Sequence, residues 1–154
     1  MAVEVKYKYT DLFDEARHRT EMESLTIPQS AEGVPGNDVR NVVGVMEDTD
    51  SVFARNTLAR GASYIYPSVR IALDKDQGLL IQEEGAENGV VFNFTTNRIK
   101  ANDLVVLGVN LKTALLYFVL FEWFTMFPSR SDIAQKYNAL YEKAINGIKR
   151  SIIQ

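Results

Sequence analysis

The first residues alternate. Val3, Val5, Tyr7 and Tyr9 interleave with Ala2, Glu4, Lys6 and Lys8, a period of two that predicts a strand or extended arm. Thr10 is placed to cap a short, weak helix from Asp11, whose apolar Leu12, Phe13 and Ala16 fade into RHRTEMES. From Leu25 to Met46 the chain is punctuated by Pro28, Gly33, Pro35, Gly36 and Gly44, which predicts a long loop with one short strand at Val42 to Met46. Order returns at Asp48. Thr49 or Asp50 offers an N-cap, Val52, Phe53, Asn56, Ala59, Ala62 and Tyr66 fall near one helical face, and Pro67 is expected to stop or kink the helix.

Two β-rich runs follow, LLIQ and VVFNFTTNRI, around Gly85, Asn88 and Gly89. They predict a hairpin with Val90, Phe92 and Phe94 on one face and Val91, Asn93 and Thr95 on the other. After Asn102 the pattern is helical to the end. Asn102 or Asp103 can cap a first helix, Pro128 ends it, and Ser129 with Asp132 can form a capping box for the last. Along that last helix Ile133, Tyr137, Leu140, Tyr141, Ala144, Ile148 and Ile152 line one face. Gln135, Lys136, Asn138, Glu142, Lys143, Asn146, Lys149 and Arg150 line the other, as on an amphipathic helix against a core.

The penultimate helix is of another kind. Its segment TALLYFVLFEWFTMF, Thr113 to Phe127, carries eleven large apolar side chains in fifteen positions, with one carboxylate, Glu122. On a wheel of 100° per residue its polar positions share their arc with Tyr117, Phe118, Phe121 and Phe124, so no face is left for water. A helix apolar all round is buried on all sides. Two sources of cover are open at this stage: the centre of a monomeric bundle, or neighbouring subunits. A membrane span is not expected, because the longest unbroken apolar run is the eight residues from Ala114 to Phe121, against roughly 20 for a bilayer.

Composition narrows the function classes. A chain of 154 residues, 46% hydrophobic and 24% charged, is sized and composed for a single globular domain. The net charge of -3 argues against a surface built wholly for nucleic acid, and the dispersed Arg55, Arg60, Arg70 and Arg98, with acids nearby, are expected in ordinary ion pairs. With no cysteine there is no thiolate zinc site and no thiol nucleophile. The start MAVEVKYKYTDLF lacks the apolar core of a signal peptide.

The search for chemistry finds little. His18, the sole histidine, lies between Arg17 and Arg19 with nothing to pair it into a metal site or a nucleophile triad. Asp74, Asp76 and Gly78 imitate the start of a calcium loop, but the glycine comes one position early and Gly85 stands where a bidentate Glu is needed. Glu83, Glu84 and Glu87 crowd the hairpin tip, as solvated turns do. Glu122 has the apolar neighbours that would raise a catalytic acid's pKa, yet no second acid lies three or four residues away. It is expected in a salt bridge between helices or subunits, or at a rim near solvent. No catalytic residue, cofactor or metal is therefore expected.

The order of elements carries a resemblance. A capped helix, a β-rich insertion, the run ALLYFVLFEWF, a Pro/Ser break and a last helix with QKYNALYEKAINGIKRSI, in which Tyr137 to Glu142 make a Tyr-x-x-x-Tyr-Glu pattern, resemble the head-tail connector (adaptor, or head-completion) proteins of tailed bacteriophages. The resemblance covers about Asp48 to Gln154. It implies a mainly α fold with a β-hairpin insertion (α+β): a bundle of three to four helices spanning 48–154, with the hairpin at about 69–99, preceded by an arm, short helix and loop over 1–47. It further implies a virion neck protein, made in the bacterial host cytoplasm. Such a protein forms a homo-oligomeric, usually dodecameric, ring between the portal and tail or neck proteins, and extends a channel through which DNA passes without sequence-specific contacts. The interface residues would be Phe118, Phe121, Glu122, Trp123 and Phe124, together with the hairpin residues Leu79, Ile81, Glu83, Glu84, Glu87, Val90, Phe92 and Phe94. The rival reading is a small soluble ligand-binding or enzymatic helical domain with Glu122 in an apolar pocket.

Overall fold

The computed structural model describes residues 2–24, 44–70, 89–95, 99 and 101–152. The fold is mainly helical with a small antiparallel sheet. In chain order the elements are β1 (Ala2–Lys8), α1 (Tyr9–Ser24), a 3-10 turn (Asp48–Asp50), α2 (Ser51–Arg70), β2 (Gly89–Thr95), α3 (Ala101–Thr125), a second 3-10 turn (Pro128–Arg130) and α4 (Ser131–Ile152).

The core is organised around α3 on α4. On α4 the alternation of faces holds: Ile133, Ala134, Tyr137, Ala144 and Ile148 are buried, Leu140, Tyr141 and Ile145 half-buried, and Gln135, Lys136, Glu142, Lys143, Asn146, Lys149 and Arg150 exposed. From Leu111 to Phe124 no residue of α3 is exposed, and Leu111, Ala114, Leu115, Val119, Leu120 and Phe124 are wholly buried. At about 1.5–3 kcal/mol for each large side chain, this seam is the main source of hydrophobic stabilisation. Of the two sources of cover, the chain itself supplies it to this half of the helix. By length and composition α3 is also long and apolar enough over Asp103–Thr125 to cross a membrane, with a mean hydropathy of 2.1 in an 18-residue window, although its longest unbroken run is short.

Helix α2 closes over α3 with a different face from the one expected. Ala54, Thr57, Leu58, Gly61, Ala62, Ile65, Ser68 and Val69 are buried, whereas Val52 is 65% exposed and Asn56 is also exposed. The buried seam is built largely of small residues, which lets the backbones approach. At Gly61 an added Cβ would sit 2.7 Å from the Phe118 ring, so the contact needs a glycine or a displaced phenyl group. The start of α2 is preceded by the 3-10 turn, where Asp50 accepts a 2.8 Å hydrogen bond from the Glu47 amide. Pro67 lies inside the helix, which runs on to Arg70. Pro67 removes only its own N–H from the ladder, close enough to the end for the helix to continue.

The expected strand at the N-terminus is present, but its partner was not foreseen. β1 pairs antiparallel with β2, in the register Val3↔Phe94, Val5↔Phe92, Tyr7↔Val90. β2 is therefore joined to the start of the chain; Leu79, Ile81, Glu83, Glu84 and Glu87 of the expected first arm and tip lie outside the described residues, as does the acidic stretch at Asp74. The helix read as short and weak is α1, sixteen residues long. Thr10 lies within it, because Tyr9, Leu12 and Ala16 have core to bury against. β1 and α1 thus pack into the same core as the rest. Ser129 lies inside the second 3-10 turn, whose N-cap is Phe127 and whose first residue is Pro128.

After α1 the described residues resume at Gly44, which has φ of 72°. There the Trp123 indole N–H donates to the Gly44 carbonyl, and an added Cβ would lie 2.8 Å from the Phe127 ring and 3.1 Å from the indole nitrogen. Both the left-handed backbone and the space demand glycine. Gly44→Ala is expected to lower stability by about 1–3 kcal/mol in urea denaturation; an unchanged midpoint would show that this docking does not hold Trp123.

Candidate functional site

Two groups of polar and aromatic side chains stand out among the described residues. The first lies where α2 crosses α3 and contains the residue singled out in sequence. The Glu122 carboxylate pairs with Arg60 of α2 at 3.3 Å, and the Arg60 guanidinium lies 5.8 Å from the Phe118 ring centroid. Phe118 in turn meets Tyr64 edge-on at 5.5 Å and Tyr141 of α4 at 5.7 Å. Glu122 is therefore an inter-helix ion-pair partner, with its side chain about one-third exposed. An exposed pair of this kind contributes about 0–1 kcal/mol. It is neither enclosed nor presented with a second acid.

The other expected interface residues of α3 are placed between helices of the same chain. Phe118 is 5% and Trp123 6% exposed, Phe124 is fully buried, and Phe121 is half-buried. Trp123 packs between Phe53 and Phe127 at 5.4 and 5.3 Å. Phe124 stacks on Tyr137 at 5.9 Å with the rings nearly parallel. On β2, Val90 and Phe92 are buried in the same core, and Phe94 is paired in register with Val3. As the chain is folded here, Phe118, Trp123, Phe124, Val90 and Phe92 present no free surface to a neighbour.

The second group gave no sequence signal. Glu23, in the polar tail of α1, is only 6% exposed. Its Oε1 accepts from the Tyr137 hydroxyl at 2.8 Å and from the Lys136 ammonium at 2.5 Å, while its backbone carbonyl accepts from the buried Arg130 guanidinium at 3.2 Å. One residue of α1 thus fastens to the second 3-10 turn and to two successive residues of α4. A buried carboxylate is tolerable only when paired and hydrogen-bonded, as this one is. Burial, the hydrogen bond to Glu23 and that carboxylate's charge hold the Tyr137 phenol well above the usual tyrosine range, with Arg19 acting weakly the other way. A phenol held neutral beside a carboxylate that Lys136 pairs can donate a hydrogen bond but is a poor proton acceptor. The arrangement suits fastening rather than proton transfer.

His18 lines an open cleft of about 710 Å³ between the second half of α1 and residues 45–49, with Glu21, Met22, Met46 and Glu47. Arg17 pairs with Asp48 in the same lining. Among the described residues no three His, Asp or Glu side chains are grouped to hold a metal ion. No protein-family model, curated protein or solved structure matched the chain.

Two expectations follow. Tyr7, which donates to the Gly108 carbonyl, and Tyr137 both have pKa values raised by burial. A tyrosine pKa raised on folding means that the native state holds its proton more tightly. Stability is then fully present below the unfolded value of about 10 and falls as pH rises above it. Chemical denaturation from pH 8 upward should show that loss, and Tyr137→Phe should make it shallower while lowering neutral-pH stability by about 1–3 kcal/mol, because Glu23 loses a buried donor. Glu122→Gln, by contrast, should change stability by no more than about 1 kcal/mol, as a half-exposed pair allows; a larger loss in the same denaturation would make Glu122 a structural keystone.

Proposed function

We propose that the chain is a structural subunit of a tailed-bacteriophage neck: a connector that joins the portal to the tail in a ring and extends the DNA channel. The observation that carries this reading is the α3–α4 hairpin. The run ALLYFVLFEWF and the Tyr-x-x-x-Tyr-Glu pattern, on which the resemblance rests, form one packed seam: Tyr137 lies on Phe124 and 5.8 Å from Tyr117, and Tyr141 lies on Phe118. These residues serve a rigid helical hairpin, which is what a ring subunit needs and what a catalytic pocket does not. In the enzymatic alternative Glu122 would be the acid, paired as it is with Arg60 at 3.3 Å.

In this reading α3 and α4 are the framework of each subunit, and contacts between subunits are made by surfaces outside the α3 core. Mixing the purified chain with the portal assembly of the same virus, followed by light scattering and negative-stain imaging, tests it. A ring stacked on the portal is the expected result. A chain that stays a compact monomer beside intact portals would overturn the reading.

A further inference from the structure

The two halves of α1 are held to the bundle in different ways. In the first half Tyr9, Leu12, Phe13 and Ala16 bury apolar side chains. From Arg17 to Ser24 the buried residues are Thr20 and Glu23, both polar, and the one apolar side chain, Met22, is 52% exposed. This second half is fastened by polar contacts instead. Glu23 accepts from Tyr137 and Lys136 of α4 and takes the Arg130 guanidinium on its carbonyl, and the Arg19 guanidinium lies 5.8 Å from the Tyr117 ring centroid.

The segment Gly44–Asp48 is tied to this same half of α1. The Thr20 hydroxyl accepts from the Met46 amide at 3.0 Å and donates to the Arg17 carbonyl at 2.7 Å, while the Arg17 guanidinium pairs with Asp48. The open cleft of about 710 Å³ runs between the two segments, and these polar contacts tie its walls. Gly44–Asp48 adds one buried apolar side chain of its own, Met46.

Magnitudes separate the two halves. Burying an apolar side chain stabilises outright, whereas a hydrogen bond within the protein replaces one to water and gives little net. A buried carboxylate also regains its hydration on leaving. Lifting Arg17–Ser24 therefore costs far less than lifting Tyr9–Ala16. We propose that Arg17–Ser24 and Gly44–Asp48 form a polar latch that opens as one unit, hinged near Ala16, while the rest of the bundle stays folded. Thr20 and Arg17 couple the two segments: when the tail of α1 lifts, the Met46 amide loses its acceptor and Asp48 its cation. Opening uncovers Tyr137, which is 1% exposed when the latch is closed, and the Tyr117 ring 5.8 Å from it. The latch does not rest on the neck reading, and each can fail alone.

The experiment is amide hydrogen exchange of the full chain, read by mass spectrometry at urea concentrations below the unfolding transition. Arg17–Ser24 and Gly44–Asp48 should open together, with the same urea dependence, and exchange at least about tenfold faster than Leu111–Phe124. Glu23→Gln should speed both segments by about tenfold, although Gly44–Asp48 does not touch Glu23, and should leave Leu12–Ala16 and Leu111–Phe124 unchanged. Arg17→Ala, a change at a half-exposed ion pair that the fold tolerates, should speed both by a smaller factor. Exchange of either segment only through global unfolding would overturn the proposal. So would variants that loosen one segment and leave the other as it was.

Discussion

The structure depends on the burial of a helix segment that has no polar side. Between Leu111 and Phe124, α3 can satisfy its backbone within itself, but it has no face to offer water. Each neighbouring element contributes to its cover in a way set by its own sequence. α4 brings a stripe of large residues, α2 brings a seam of small ones that admits close approach, and α1 with β2 adds Leu12, Ala16, Val90 and Phe92. The core is continuous because the helix it surrounds must be covered on all sides.

A purely apolar seam would not fix how these elements sit along one another, and the polar contacts at its edges do so. Tyr7 donates to the Gly108 carbonyl and ties β1 to α3; the Trp123 indole donates to the Gly44 carbonyl and holds the segment before α2 on the end of α3. Thr20 accepts from the Met46 amide at 3.0 Å, which sets the same segment against α1. Glu23 secures the tail of α1 to the start of α4. Each of these joins residues far apart in sequence, and each satisfies a polar group that burial would otherwise make costly.

What the sequence disclosed follows from these forces. α4 was readable because its large apolar and charged residues alternate with the helical period, and the covering of α3 from Leu111 to Phe124 was readable because that stretch has no such alternation, whereas Val105, Val106 and Val109 of its first half are exposed. The seam of α2 was misjudged because five of its eight buried residues are Ala, Gly, Thr or Ser, which carry little hydrophobic signal beside Leu58, Ile65 and Val69, while Val52 and Tyr64 face outward. The pairing of β2 with β1 was hidden because the Gly and Asn around residue 88 signal a local hairpin, whereas the long-range partner depends on how α1 and α2 fold back. Glu23 was invisible: a glutamate among EMES on a polar helix carries no mark of the buried partners that the fold brings to it.

The central claim is that one chain encloses the apolar half of α3 unaided. Amide hydrogen exchange followed by mass spectrometry, at a dilution where the chain is monomeric, tests it most directly. The account predicts that the segment from Leu111 to Phe124 is the most slowly exchanging in the protein, opening only with global unfolding, and that its rate does not depend on protein concentration. Fast exchange of that segment in the monomer, slowing only as copies or partners associate, would contradict it.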